Sequence, residues 1–402
     1  MVDAVTTGFR TRGQAAALAA VRRFVDGAAP HAVLLAGPGS VGKTTLARDL
    51  AVGLLCQAPD PAARPCGGCR GCRQVASGNH PDLHRLAPEG PGGQIGIGRV
   101  RELGSDLALM PVEGGARVAL VEGAHRLNED AQNAMLKLLE EPPPGVVIVL
   151  CADDEERLLD TVRSRCVRVR LGPVPVREIE ALLDELGLAD PPTAARLARI
   201  AAGRPGLAVA YARAPDAMMA RAEVARGLLD LLPSGRSARL SAMRDLAVRA
   251  AEALGALDRA LTDEVAAAGS DRPGRPARRR STAVKPGAPD AGAVPPEVAD
   301  AEAGTSTRSP ASERRRAAAW LVDAWRDVFR DLALVAAGTP ALVRDAGLMD
   351  ELEATGSRLD PAAVAMFLDE LDRASERLEA NVAPELLLDA LALAAPTPGP
   401  AA

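Results

Sequence analysis

Apolar residues in this chain fall into two kinds of run, and the two kinds alternate over the first 170 or so positions. Ala32–Ala36 (AVLLA), Arg117–Val121 (RVALV) and Val146–Cys151 (VVIVLC) are short and almost unbroken, as expected of strands buried on both faces. Pro81–Ala87 (PDLHRLA) predicts a further short strand, and Val167–Leu171 (VRVRL) alternates like a strand at a sheet margin. Between these, apolar residues recur every three or four positions over 8–28, from 43 to about 56, over 98–110 and over 128–141. Those stretches predict helices, the last of them stopped by three prolines. Strands separated by helices imply an α/β domain with a mainly parallel sheet and helices on both faces, over residues 1–172.

The pattern then changes. Residues 173–215 predict a small all-α lid, with helices near 176–187 and 192–202 and a Gly-Arg-Pro-Gly turn leading into another. Long helical stretches follow at 216–268 and 315–395, where Trp320, Trp325 and Phe329 recur at helical spacing and are expected in a core. Between them, residues 269–314 collapse into Pro, Gly, Ala, Ser, Thr and Arg. Such a segment buries too little apolar surface to offset its ordering entropy, so it is read as a disordered insertion, its Arg-rich run a solvated tether.

Composition sharpens this picture. Of 402 residues, 48% are hydrophobic and 25% charged, which describes a chain with ample core material for two or three domains. Aromatics make up only 2%, which argues against a nucleic-acid site built on stacked rings. With a net charge of −5 there is no global basic field, so DNA contact would be local or would belong to partner chains. The N-terminus has the pattern of neither a secretory signal nor a membrane span, and the expected compartment is a reducing cytoplasm.

Two motifs carry chemistry. The strand at 32–36 runs into Gly37-Pro-Gly39-Ser-Val-Gly42-Lys43-Thr44-Thr45, which satisfies G-x-x-x-x-G-K-[ST] in strand–loop–helix context. Glycines let backbone N–H groups close around phosphate oxygens at a helix N-terminus, Lys43 would reach the β- and γ-phosphates, and Thr44 would hold Mg²⁺. Cys56, Cys66, Cys69 and Cys72 form C-x9-C-x2-C-x2-C within one loop-like stretch, 56–72. Four thiolates suit tetrahedral Zn²⁺ and leave no position for a catalytic water, so a structural zinc is expected. Cys151 and Cys166 fall in or beside strands and read as small core residues.

Taken in order, Gly13-Gln14, the P-loop, the cysteine insertion, NAMLKLLEEPP at 133–143 and Ser164-Arg165-Cys166 resemble the AAA+ clamp-loader ATPases of bacterial DNA polymerase III. These comprise gamma/tau and the related delta-prime subunits. The resemblance covers residues 1–212 and extends to a C-terminal collar of helices. It implies ATP or ADP with Mg²⁺ at the P-loop. It also implies gamma/tau and delta subunits as partners, with primed DNA and the sliding clamp reached through the assembled complex.

The departures are informative. Active members end the strand after the P-loop in Asp-Glu-x-His, where the Asp organises Mg²⁺ and the Glu polarises water. Here the run is Glu122-Gly123-Ala124-His125, so Glu122 keeps a carboxylate near Mg²⁺ while Gly123 has no side chain for the catalytic task. The polar sensor position falls at Ala152 or Asp153, and the lid arginine aligns with Gly206, beside an out-of-register Arg204. Losing a general base alone removes about 10²–10⁴ in rate. Arg165 is retained, and the resemblance makes it an arginine finger on a neighbouring subunit's nucleotide. This combination is similar to the delta-prime branch and predicts a stationary, non-hydrolysing loader subunit. The alternative is a hydrolysing gamma/tau-type motor.

Overall fold

The computed structural model describes residues 8–88, 93–113, 115–267, 311–380 and 382–399. Five parallel strands form one sheet: β1 (Ala32–Ala36), β2 (Leu83–Leu86), β3 (Arg117–Val121), β4 (Val146–Ala152) and β5 (Val167–Arg170), in the order β2-β3-β4-β1-β5. Every residue of β1, β3 and β4 is buried, as their unbroken apolar runs require, while β5 at the edge buries only Val169.

Because side chains alternate across a strand, the sheet serves two separate cores. Val33, Leu35, Val149 and Cys151 face α1 (Ala15–Arg23) and α2 (Lys43–Leu54), meeting Val21, Leu46 and Leu50. Leu34, Ile148 and Leu150 face α4 (Ile97–Leu107) and α5 (Glu129–Glu140), meeting Leu103, Met135 and Leu139. Cys166 is half-buried against this second core.

Two boundaries differ from the periodicity. The first helix begins at Ala15 rather than residue 8, because Gly13 takes φ 71° and the backbone before it is held elsewhere. The Asp49 carboxylate accepts the N–H groups of Arg10 (3.0 Å) and Thr11 (2.8 Å), so these donors serve a tertiary contact instead of a helix. Residues 24–28 close that helix in a wider turn of π type. The cysteine stretch, read as loop, leads at its end into a true helix, α3 (Arg70–Ala76), preceded by the residues of a 3₁₀ turn at Pro61–Ala63.

A short α6 (Asp160–Arg163) precedes β5. Beyond the sheet come three lid helices, α7 (Val176–Glu185), α8 (Pro191–Ile200) and α9 (Pro205–Arg213), packed around Ile179, Leu183, Leu197 and Tyr211. The C-terminal helices are α10 (Pro215–Leu231), α11 (Arg236–Ala267), α12 (Ala311–Ala336), α13 (Met349–Gly356), α14 (Pro361–Glu379) and α15 (Pro384–Ala394). Trp325 and Phe329 are fully buried at their centre. Phe367 packs edge-on to Trp325 at 5.0 Å and lies 4.5 Å from Phe329. Trp320 is only partly buried and borders this core. Of the predicted insertion, residues 311–314 already belong to α12, and the remainder, 269–310, lies outside the described residues. Among the described residues, no helix is long and apolar enough to cross a membrane.

Candidate nucleotide site and metal centre

The P-loop connects β1 to α2 and is shaped by positions where a side chain would not fit. Gly37 has φ 151°, and a Cβ there would stand 2.2 Å from the Leu171 carbonyl oxygen. Gly42 takes φ 104° and opens α2 at Lys43. The first-turn N–H groups of α2 therefore face the mouth of the loop, an arrangement able to receive an anion. Thr44 and Thr45 are half-buried on that first turn. Lys43 is buried, and its ammonium donates to Gly37 O (2.7 Å) and Pro38 O (2.5 Å) while pairing with Asp153 Oδ1 (2.7 Å).

The lid closes directly on this loop. The Gly206 N–H in the first turn of α9 donates to Ser40 O at 2.9 Å, and Gln14 spans to Gly172 O at 2.7 Å. A side chain at 206 would start 3.1 Å from Ser40 O, so only close backbone contact fits there. Beside the loop lies a cavity of about 280 Å³, walled by Thr45, Asp49, Val75, Pro205 and Val209 among others.

At the end of β3, Glu122 is held by cations. Its Oε1 accepts from Arg85 Nη2 at 2.6 Å and lies 3.8 Å from Arg48 Nη2. The carboxylate that the sequence places near Mg²⁺ thus already has two guanidinium partners. Gly123 adopts φ 65° and ψ 42°, a left-handed conformation, with Pro88 Cγ 3.1 Å from where a Cβ would be. The His125 Nδ1 accepts the Asp153 N–H at 3.1 Å, and burial pulls this imidazole below its ordinary range. Ala152 is fully buried in β4, whereas Asp153 presents its carboxylate to Lys43. Of the two candidate sensor positions, Asp153 is the one brought to the P-loop.

Arg165 lies apart from these groups, just after α6. Its guanidinium pairs with Glu140 Oε1 at 2.5 Å and donates to Thr161 O at 2.9 Å, and its side chain is about one-third exposed (36%).

The four insertion cysteines converge, with all four sulfurs within 4.8 Å of one another. Cys56 and Cys69 Sγ are 3.9 Å apart, and Cys66 and Cys72 Sγ 4.0 Å. A Zn–S bond of about 2.3 Å in tetrahedral geometry needs sulfurs about 3.8 Å apart, so the cluster is able to hold such a metal. Backbone N–H groups of Cys66, Ala58, Gln57 and Cys72 point at its sulfurs. Burial pushes the Cys69 thiol up, yet the donors from Cys72 and Gln57 prevail and bring it down to about 6. Cys69 also caps α3, which joins the metal cluster to the cavity wall at Val75.

Residues 14–175, carrying the P-loop, the cysteine cluster and Arg165, match the family model described as DNA polymerase III, delta subunit. The DNA polymerase III subunit delta' of Escherichia coli is 37% identical over 216 residues, which is 54% of this chain and 64% of that protein. That of Pseudomonas aeruginosa is 41% identical over 138 residues, 34% of this chain and 42% of its own length. The N-terminal half of this chain is related to the delta-prime subunits of DNA polymerase III. The relation is wider than delta-prime alone. Subunit tau of Escherichia coli is 33% identical over 178 residues, 43% of this chain and 27% of that protein. The matched stretch spans less than two thirds of the length of each of these relatives. These similarities agree with the resemblance carried by the motifs, and the five-stranded parallel sheet followed by helical units is the α/β and all-α architecture expected.

Some of the site escaped sequence reasoning. None of Asp49, Arg48 and Arg85 was singled out from the sequence; Asp49 holds the backbone before α1, and the fold brings Arg48 and Arg85 beside Glu122. Arg48 and Asp49 lie in α2 and Arg85 in β2, and none of the three stands in a recognisable motif.

Proposed function

We propose that this protein is a delta-prime subunit of the DNA polymerase III clamp loader, binding a nucleotide without hydrolysing it and acting in the cytoplasm. The conformation of Gly123 carries this reading. A glutamate there, able to polarise water, would have to enter the left-handed region at a cost of about 1–2 kcal/mol and press on Pro88. Glu122 is next in line, and its pairing with Arg85 and Arg48 keeps it occupied.

In this reading Gly37, Gly39 and Gly42 let the loop wrap phosphate, Lys43 and Thr44 hold the β-phosphate and Mg²⁺, and Thr45 supports the first turn of α2. Cys56, Cys66, Cys69 and Cys72 hold a structural Zn²⁺. The partners are gamma/tau and delta subunits, with primed DNA and the sliding clamp met in the assembled complex. Arg165, half-buried and held among the described residues by Glu140 and the Thr161 carbonyl, swings onto the γ-phosphate of an adjacent subunit.

Steady-state ATPase measurements test this. The purified chain alone should be silent, and turnover should appear when gamma/tau, delta and primed DNA are added. Arg165→Ala should then lower turnover at the one site it serves by about 10³-fold. Robust turnover by the isolated chain, abolished by Lys43→Ala, would instead mark a gamma/tau-type motor. Unchanged loader turnover in the Arg165 variant would reject the finger.

A further inference from the structure

Asp153 has no task in the function proposed above, yet it makes the closest charged contact to the P-loop. It directly follows the last residue of β4, the strand that pairs with β1 where β1 enters the loop. Its Oδ1 lies 2.7 Å from Lys43 Nζ. Its Oδ2 lies 3.5 Å from where a Cβ on Gly39 would stand, so the carboxylate sits between the lysine and the glycine arm of the loop.

With Gly37 O and Pro38 O taking its other two protons, all three ammonium donors of Lys43 are committed. The Lys43 side chain is only 5% exposed, whereas that of Asp153 is 50% exposed and free to swing. Its backbone is fixed meanwhile, because the Asp153 N–H is held by His125 Nδ1.

We propose that Asp153 is a built-in counter-ion for Lys43 that makes this site select nucleoside diphosphates over triphosphates. The inference rests on the reading that the P-loop binds nucleotide. A P-loop lysine spans the β- and γ-phosphates, so a terminal γ-phosphate meets Lys43 where a carboxylate already stands. Two anions sharing one cation in a poorly solvated site disfavour each other. A β-phosphate depends less on the lysine, since loop N–H groups and the N-terminus of α2 also serve it. The lid meets the loop through the backbone of Gly206, whose N–H donates to Ser40 O.

The test is the affinity of the full chain for Mg·ADP and Mg·ATP, measured by titration calorimetry for the native protein, Asp153→Asn and Asp153→Ala. Asparagine keeps the shape and removes the charge. The native chain should bind ADP at least about tenfold more tightly than ATP, and both variants should bring the two affinities within about threefold, mainly by tightening ATP. Equal affinities in the native chain, a preference for ATP, or an ADP preference that survives in both variants would each overturn the proposal while leaving nucleotide binding in place. If the native chain binds neither nucleotide but a variant gains ATP binding, the selection for diphosphates is overturned while the P-loop's capacity for nucleotide stands. Binding by none of the three proteins would overturn both the counter-ion role and the nucleotide reading beneath it.

Discussion

Single buried polar side chains hold the loops that frame the P-loop. Asp49 is the plainest case. It is buried, which pushes its carboxyl up, but Thr11 Oγ1 at 2.6 Å and the N–H groups of Arg10 and Thr11 oppose that shift by stabilising the anion. His125 works in the opposite sense. Burial lowers its pKa, and its unprotonated Nδ1 accepts the Asp153 N–H. A histidine lowered in the folded state binds fewer protons than the unfolded chain just below its ordinary value of 6.5, so stability rises with pH there. Its contribution is complete above pH 6.5 and is lost as pH falls through the folded value. Thermal melts at pH 7.5 and pH 5.5 should therefore show a smaller acid-induced loss for His125→Asn, which offers an acceptor but does not titrate, than for the native chain. Equal losses in the two proteins would show that this imidazole does not report on folding.

At the scale of elements, α3 links two functions that look separate along the chain. Its N-cap is Cys69, whose sulfur accepts the Cys72 N–H at 3.4 Å, and Gly71 lies so near α2 that a Cβ would stand 2.4 Å from Leu55 O. Farther along, Val75 enters the core beneath the sheet and walls the cavity beside the P-loop. A helix of seven residues is too short to persist alone, so its order comes from the cap, the packing and the sulfur cluster. Stripping the metal with a chelator should speed amide hydrogen exchange over residues 70–78 by about tenfold or more, with little change in β1 or β4. Exchange that stays slow after verified metal loss would show that packing alone holds α3.

At the scale of the whole molecule, buried charges tie the C-terminal helices to one another. Arg221 of α10 is buried and donates to Asp327 Oδ2 of α12 at 2.8 Å, and Arg344 holds the other carboxylate oxygen. Arg196 of α8 reaches Asp345 at 3.4 Å. Asp327→Ala leaves two guanidinium groups without their shared partner and should destabilise the protein by about 3 kcal/mol in denaturant unfolding. The double variant Asp327→Ala with Arg221→Met should recover part of that loss, because it also removes the stranded charge. A single variant as stable as the native chain would show that water reaches Arg221.

The sequence alone determined the strands, the P-loop and the clustering of the four cysteines, because each depends on residues close together along the chain. Unbroken branched runs can only be buried strands in an alternating pattern of this kind, and the x2 cysteine spacings already bend the backbone around one point. The glycine at 123, on which the non-hydrolysing reading rests, was also legible in the sequence. Tertiary structure alone decided which charges meet. Asp153 and Lys43 are 110 positions apart, and Glu122 finds Arg85 and Arg48 only once β2, β3 and α2 lie side by side. Polar pairing between distant segments leaves no period in a sequence, since its geometry exists only after the apolar faces have packed. The start of α1 shows the same limit. Helical spacing extends back to residue 8, but a buried carboxylate on another helix captured the backbone donors that a longer helix would have used.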